Sequence, residues 1–256
     1  MTSRTIRNPF HHSHFSLRAS LCGLLRSDAS MSARIGIVAC ETFRREIDHL
    51  LEGEDDVVYK EYLEFGLHEY PEELKRAVVE KVNSLKGKVD AVFLGYGICQ
   101  SLKGITSRMD VPTVMLEADD CVGVLITPEE YERERKRCAG TWYATPFFCE
   151  RGESWFDKKL EKELGAEQAR ALEAQGYDSM WFLRQLFNGY SRALFIDTKV
   201  GDREYFESLS RKFAEKLDLR HESREGTLEL LREGLDRTRA LAKGLTPSPG
   251  PATSRP

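Results

Sequence analysis

No two of the six cysteines, Cys22, Cys40, Cys99, Cys121, Cys138 and Cys149, are spaced as C-x-x-C. That removes the local signatures of zinc ribbons and ferredoxins, so any metal centre must be assembled by the fold. No apolar run reaches the roughly 18 residues that a spanning helix needs, and no membrane partner is expected. Basic residues are no excess either: 38 Lys and Arg stand against 42 Asp and Glu, for a net charge of -4. Without a basic face there is little to hold a phosphate backbone, so nucleic acid is not an expected partner. The run GYGICQ at 95–100 lacks the third glycine of a dinucleotide fingerprint. What remains is a chain of 256 residues, 41% hydrophobic, large enough to bury a core without disulfide staples. Free thiols in such a chain point to a reducing compartment, the cytoplasm.

The first thirty residues are rich in Arg, Ser and His and carry one acid, Asp28. They read as a disordered extension, either a transit-like leader or an over-extended start ahead of Met31. Residues 243–256, with TPSPGPATSRP, read as a disordered tail. Between them, 31–242, strand and helix patterns alternate. Strands are expected at 34–39, 57–63, 89–95 and 112–117, with helices at ETFRREIDHLL and at the Pro71-started PEELKRAVVEKVNSL. Segment 128–187 reads as a helical, cap-like insertion interrupted at TWYATPFF. A second half follows with a strand at 191–197, a helix at 202–217, a short strand at 218–222 and a helix at 225–242. Alternation of this kind indicates an α/β fold, a Rossmann-like three-layer sandwich with a mostly parallel sheet. The second βαβ half either extends that sheet or forms a small lobe.

Four residues that bind soft metals fall just past the four early strands: Cys40, His68, Cys99 and Cys121. In a parallel sheet all carboxyl ends open on one crevice, where α/β proteins build their sites. Each residue alone has a plain structural explanation, since free cysteine is among the most buried residue types; the recurrence at four strand exits argues for a shared site. Cys40 precedes a helix start, which would lower its pKa. Tyr96 and Gly97 lie in the turn before Cys99, where glycine permits close backbone approach. Glu117, Asp119 and Asp120 crowd the approach to Cys121 and are costly if buried together, so they are read as ligand-orienting or substrate-binding. Asp120 is the best placed to fix a histidine tautomer. Cys138, Cys149, His49 and His221 read as structural or solvated.

LHEYPEELK, GYGICQ, ADDCVGVLITPEEY, GTWYATPFF and REGTLELLREGL, in that order, resemble the conserved blocks of the DUF1638 family, over about residues 33–240. The resemblance carries over Cys40, His68, Cys99, Asp120 and Cys121. The chain departs from the family pattern at Ala118–Asp119, where a His is expected before Asp-Cys, and at Phe148–Cys149, where Gly-Trp is expected; Asp119 or Cys149 would then replace the missing group. The family resemblance also implies a setting in anaerobic one-carbon metabolism, beside corrinoid-dependent methyltransferases, with a corrinoid or methyltransferase protein as partner.

The leading expectation is a metal-binding protein with a Cys3His site holding Zn²⁺ or an iron–sulfur cluster. A closed zinc site would be structural; one displaceable ligand would leave a position for a small-molecule substrate. Two alternatives stand beside it. One is a metal-free cysteine acid/base enzyme of the racemase or lyase type, and the other a non-catalytic accessory or metal-carrier protein.

Overall fold

A computed structural model describes residues 33–99, 101–152 and 154–245. The expectations for the first thirty residues and for the tail beyond 245, with Cys22 and Gln100, lie outside the described residues. The chain is α/β with two parallel sheets.

The first sheet has the order β2-β1-β3-β4, from β1 Ile35–Cys40, β2 Val57–Leu63, β3 Ala91–Gly95 and β4 Thr113–Met115. The IGIVAC and AVFLG runs are apolar on both sides because both sides are covered. Alternation sends Val38, Val92 and Leu94 to one face, where they meet Leu74, Val78 and Val82 of α2, Pro71–Asn83. Ile37, Ala39 and Phe93 go to the other, against Phe43 and Ile47 of the turn and helix after β1, α1 being Arg44–Leu50. The helix after β1 and the helix after β2 therefore cover opposite faces. In this strand order the reversal falls between β1 and β3, the position at which open parallel sheets open a crevice.

The chain continues through α3 Cys121–Ile126 and α4 Pro128–Arg137 into the second sheet, β5-β6-β7, from β5 Thr141–Ala144, β6 Arg192–Asp197 and β7 Arg220–Glu225. Between β5 and β6 lie α5 Pro146–Arg151, α6 Ser154–Leu164, α7 Ala166–Glu173 and α8 Ser179–Leu186; α9 Arg203–Lys216 joins β6 to β7. The stretch 128–187 is thus not helical throughout: TWYA, expected as a break, is β5 and pairs with β6 from Thr141↔Arg192 to Ala144↔Phe195. The second half forms a sheet of its own. β7 runs to Glu225, longer than expected, because all six of its residues pair with β6. Its charged sequence RHESRE suits an edge, and Glu222 and Arg224 find partners on β6 and α4.

α10, Glu229–Ala242, leaves the second sheet and packs on the first. Leu231 and Leu235 join the core of Ile37, Phe93 and Leu116. Gly234 makes the approach possible: a Cβ there would stand 2.5 Å from the Phe93 ring and 2.9 Å from Leu116. Arg239 ties the far end to Asp56, Nε–Oδ2 2.8 Å.

A second tie between the halves is buried. Glu46 of α1 is 2% exposed and accepts a 3.0 Å hydrogen bond from the Thr198 hydroxyl just past β6, while its other oxygen has no hydrogen-bond partner among the described residues. Burial raises its pKa, so the folded chain keeps a proton that the unfolded chain gives up. Stability contributed here is intact below the unfolded carboxyl pKa and is lost as pH rises toward the folded value. Glu46→Gln, which copies the protonated form, is expected to be more stable than the parent at pH 7, with the gap closing near pH 4 in thermal melts.

Candidate functional site

A cavity of about 650 Å³ lies against the carboxyl ends of β1 to β4 and is bordered on the other side by α4, β5, α5 and α8. Cys40, His68, Tyr96, Gly97, Cys99, Asp120 and Cys121 all line it, so seven of the nine expected site residues meet in one place. Glu117 and Asp119 are not among the lining residues. Glu117 turns to the opposite side, toward Arg237 at 3.4 Å; Asp119 is exposed, and its carbonyl accepts from the Cys99 amide at 2.7 Å. Spreading the acids in this way avoids the cost of burying three together.

The turn after β3 is held against the start of α3. Ile98 and Cys99 donate to the carbonyls of Ala118 and Asp119, both at 2.7 Å. The contact is close enough that a Cβ on Gly97 would meet the Asp120 backbone at 2.6 Å, so only glycine fits. Cys99 itself has φ 43, a left-handed conformation that costs a non-glycine residue about 1–3 kcal/mol and is concentrated at functional sites. Asp120 is the N-cap of α3: its Oδ1 accepts from Val122 and Gly123 at 2.9 and 3.0 Å, and its Oδ2 accepts from the Tyr131 hydroxyl at 2.7 Å. Its oxygens serve that cap and Tyr131, and it does not orient a histidine.

All three thiols are pushed toward the protonated state. Cys40 is raised chiefly by burial, only partly offset by the Thr42 hydroxyl at 3.0 Å; the lowering expected from a helix start is outweighed. Burial, the Asp120 carboxylate and Cys40 push Cys99 up to about 11. Cys121 lies well above the ordinary thiol value through burial, Asp120 and the other two thiols. The three are thus electrostatic neighbours. His68 is exposed at the cavity edge, stacked on Phe65 with centroids 4.1 Å apart, and its Nδ1 meets the Phe65 carbonyl. A carbonyl only accepts, so Nδ1 carries the hydrogen, and in the neutral ring the lone pair is then on Nε2.

Among the described residues no three His, Cys, Asp or Glu side chains stand at metal-ligating spacing. Three thiols and an imidazole are donor types that bind a soft cation. Cys149 does not replace a ligand, being packed with Ala144, Phe195 and Phe206. Cys138 bonds Ser191 at 3.3 Å outside the cavity.

The far wall was not foreseen. Tyr131 and Arg135 of α4, Tyr143 of β5, Phe148 of α5, and Leu186 and Tyr190 at the end of α8 complete the enclosure. The i, i+4 spacing of Tyr131 and Arg135 was a signal that they share a helix face, but it is faint in a helix as charged as PEEYERERKR. Among the described residues no helix is long and apolar enough to cross a membrane.

A family model described as "Protein of unknown function (DUF1638)" matches residues 62–235. The match takes in His68, Cys99, Asp120 and Cys121 and begins after β1 and Cys40, later than the resemblance in the sequence suggested. Comparison with the curated proteins gives no match.

Proposed function

The chain belongs to the DUF1638 family, and from the geometry of its cavity we propose that it binds a soft metal ion, Zn²⁺ before an iron–sulfur cluster, through Cys40, Cys99 and Cys121, with His68 as the fourth donor. The observation that carries this reading is the convergence of three thiols from three separate strand exits on one cavity, with Cys40 raising the pKa of Cys99 and both raising that of Cys121. A protonated thiol cluster beside a carboxylate repels a second negative charge, and a cation reverses that balance by taking the place of the protons. The switch position between β1 and β3 favours a functional site over a structural one. The metal, when bound, would supply a Lewis acid at the cavity wall. The chain's own residues do the rest: Gly97 lets the Cys99 turn close on Asp120, Asp120 fixes the start of α3 and so Cys121, and the aromatic far wall limits water. In the one-carbon setting that the resemblance implies, a small thiol-bearing or methyl-bearing molecule would occupy the cavity.

The test is Co²⁺ titration of the full chain, purified and reduced without oxygen. One ion per chain with thiolate charge-transfer absorption is expected, and Cys40→Ser, Cys99→Ser and Cys121→Ser should each weaken uptake by about tenfold or more. A reduced chain that takes up no ion sinks the reading. The second reading, a metal-free thiol pair moving a proton at a substrate carbon, is favoured by one contact: the Thr42 hydroxyl lies 3.0 Å from the Cys40 sulfur and offers it a proton path.

A further inference from the structure

Two hydroxyls on the cavity wall have no use in thiol chemistry. Tyr96 is 5% exposed, and among the described residues neither its hydroxyl nor the buried hydroxyl of Tyr143, which also lines the cavity, has a hydrogen-bond partner. Buried polar groups are nearly always paired in folded proteins; both oxygens are shut off from solvent, so a ligand that accepts from them draws the rings toward the cavity. Burial raises both phenols, which keeps them protonated as donors.

The charge on the far wall says more. Arg135 lines the cavity with its guanidinium 5.5 Å from the centre of the Tyr131 ring. Its neighbours on α4, Arg133, Lys136 and Arg137, each form an ion pair with a glutamate, whereas Arg135 forms none within 4.0 Å among the described residues and acts on a carboxylate only by adding to the lowering of the Glu132 pKa. The nearby Asp120 is already engaged by two amides and the Tyr131 hydroxyl, and Glu134 is paired with Arg192 and Arg224. A single guanidinium beside a phenol matches the planar, singly charged carboxylate, which it can grip by two parallel hydrogen bonds. A phosphate would want more positive charge or a free helix N-terminus, and the start of α3 is taken by its own cap.

We infer that the cavity takes a small organic carboxylate, its carboxylate held by the Arg135 guanidinium and the Tyr143 hydroxyl and its other end directed to Tyr96 and the thiols. At about 650 Å³ the space suits a small molecule, cavities for which run from about 300 to 1,000 Å³. The inference deepens the metal reading by naming what the open side of that site would face, but carboxylate capture itself needs no ion.

The experiment uses the metal-free full chain, with propionate as probe and propionamide as its uncharged counterpart, read by ligand-observed NMR and calorimetry. Propionate should bind in the millimolar range and propionamide about tenfold more weakly or less. Arg135→Gln, at an exposed position, should weaken propionate by about tenfold, and Tyr143→Phe by several-fold, with circular dichroism unchanged. Equal binding of acid and amide, indifference to Arg135→Gln, or displacement of propionate by an equal concentration of inorganic phosphate would each overturn the inference. Because no metal is present, failure here is distinct from failure to take up Co²⁺.

Discussion

Arg192→Leu should cost about 3–5 kcal/mol of stability, the usual penalty for removing one partner of a buried ion pair. The side chain is fully buried on β6, and its Nη1 stands 2.7 Å from Glu134 and 3.1 Å from Glu222. Its Nε donates to the Thr141 hydroxyl at 3.0 Å. One guanidinium therefore joins β5, β6, β7 and α4. The leucine would leave two carboxylates facing an apolar centre. Arg224 on Glu134 and Arg220 on Glu222, at 3.1 and 2.8 Å, hold the loss toward the lower end of the range. Urea unfolding measures it, and a loss under about 1 kcal/mol would mean that those outer arginines suffice. Glu134 directly precedes Arg135, so the same variant should also loosen the far wall of the cavity and weaken propionate.

Iodoacetamide at pH 8 should consume Cys138 first and Cys99 about a hundredfold more slowly in the metal-free chain. The reason is the thiolate fraction, since only the thiolate attacks. Hydrogen bonds from Ser191 and Thr141 lower the pKa of Cys138, whereas that of Cys99 is pushed up to about 11. At pH 8 a group with that value is ionised in about one molecule per thousand, against about a quarter for an ordinary thiol near 8.5. Labelling of Cys99 should climb about tenfold per pH unit until it levels near pH 11. Peptide mass spectrometry resolves each site. With Zn²⁺ added, Cys40, Cys99 and Cys121 should be shielded together and Cys138 left as before; protection of none of the three would count against the metal reading.

The first sheet is legible because its central strands, β1 and β3, are short apolar runs set off by Gly and charged turns, and a run's end fixes where the next residue points. Cys40, Cys99 and Cys121 could be placed on one crevice for that reason alone. Asp120 is legible as a cavity residue, and its other work follows from its place: an acid before a short helix is a cap, and Tyr131, eleven residues on, bonds its second oxygen. Glu117 and Asp119 do not line the cavity with it, since three neighbouring acids in sequence need not share a side. The second sheet was harder. β5 has four residues and β7 reads RHESRE, and both owe their strand form to pairing with β6, a tertiary contact that no local pattern announces. Arg135 differs from its neighbours on α4 only in forming no ion pair with a glutamate, a difference set by side-chain geometry that the run of charges in PEEYERERKR does not carry.

α10 closes over the first sheet after the whole second sheet has been made. On a ribosome the chain emerges in order, at about 5–20 residues per second, so Phe93 and Leu116 must wait for Leu231 and Leu235 before that side of their core is sealed. During the interval the nascent first half presents a sticky apolar flank to its surroundings. Chaperone demand should therefore fall sharply once α10 has cleared the exit tunnel, and a nascent chain arrested before Glu229 should be the form most prone to aggregate.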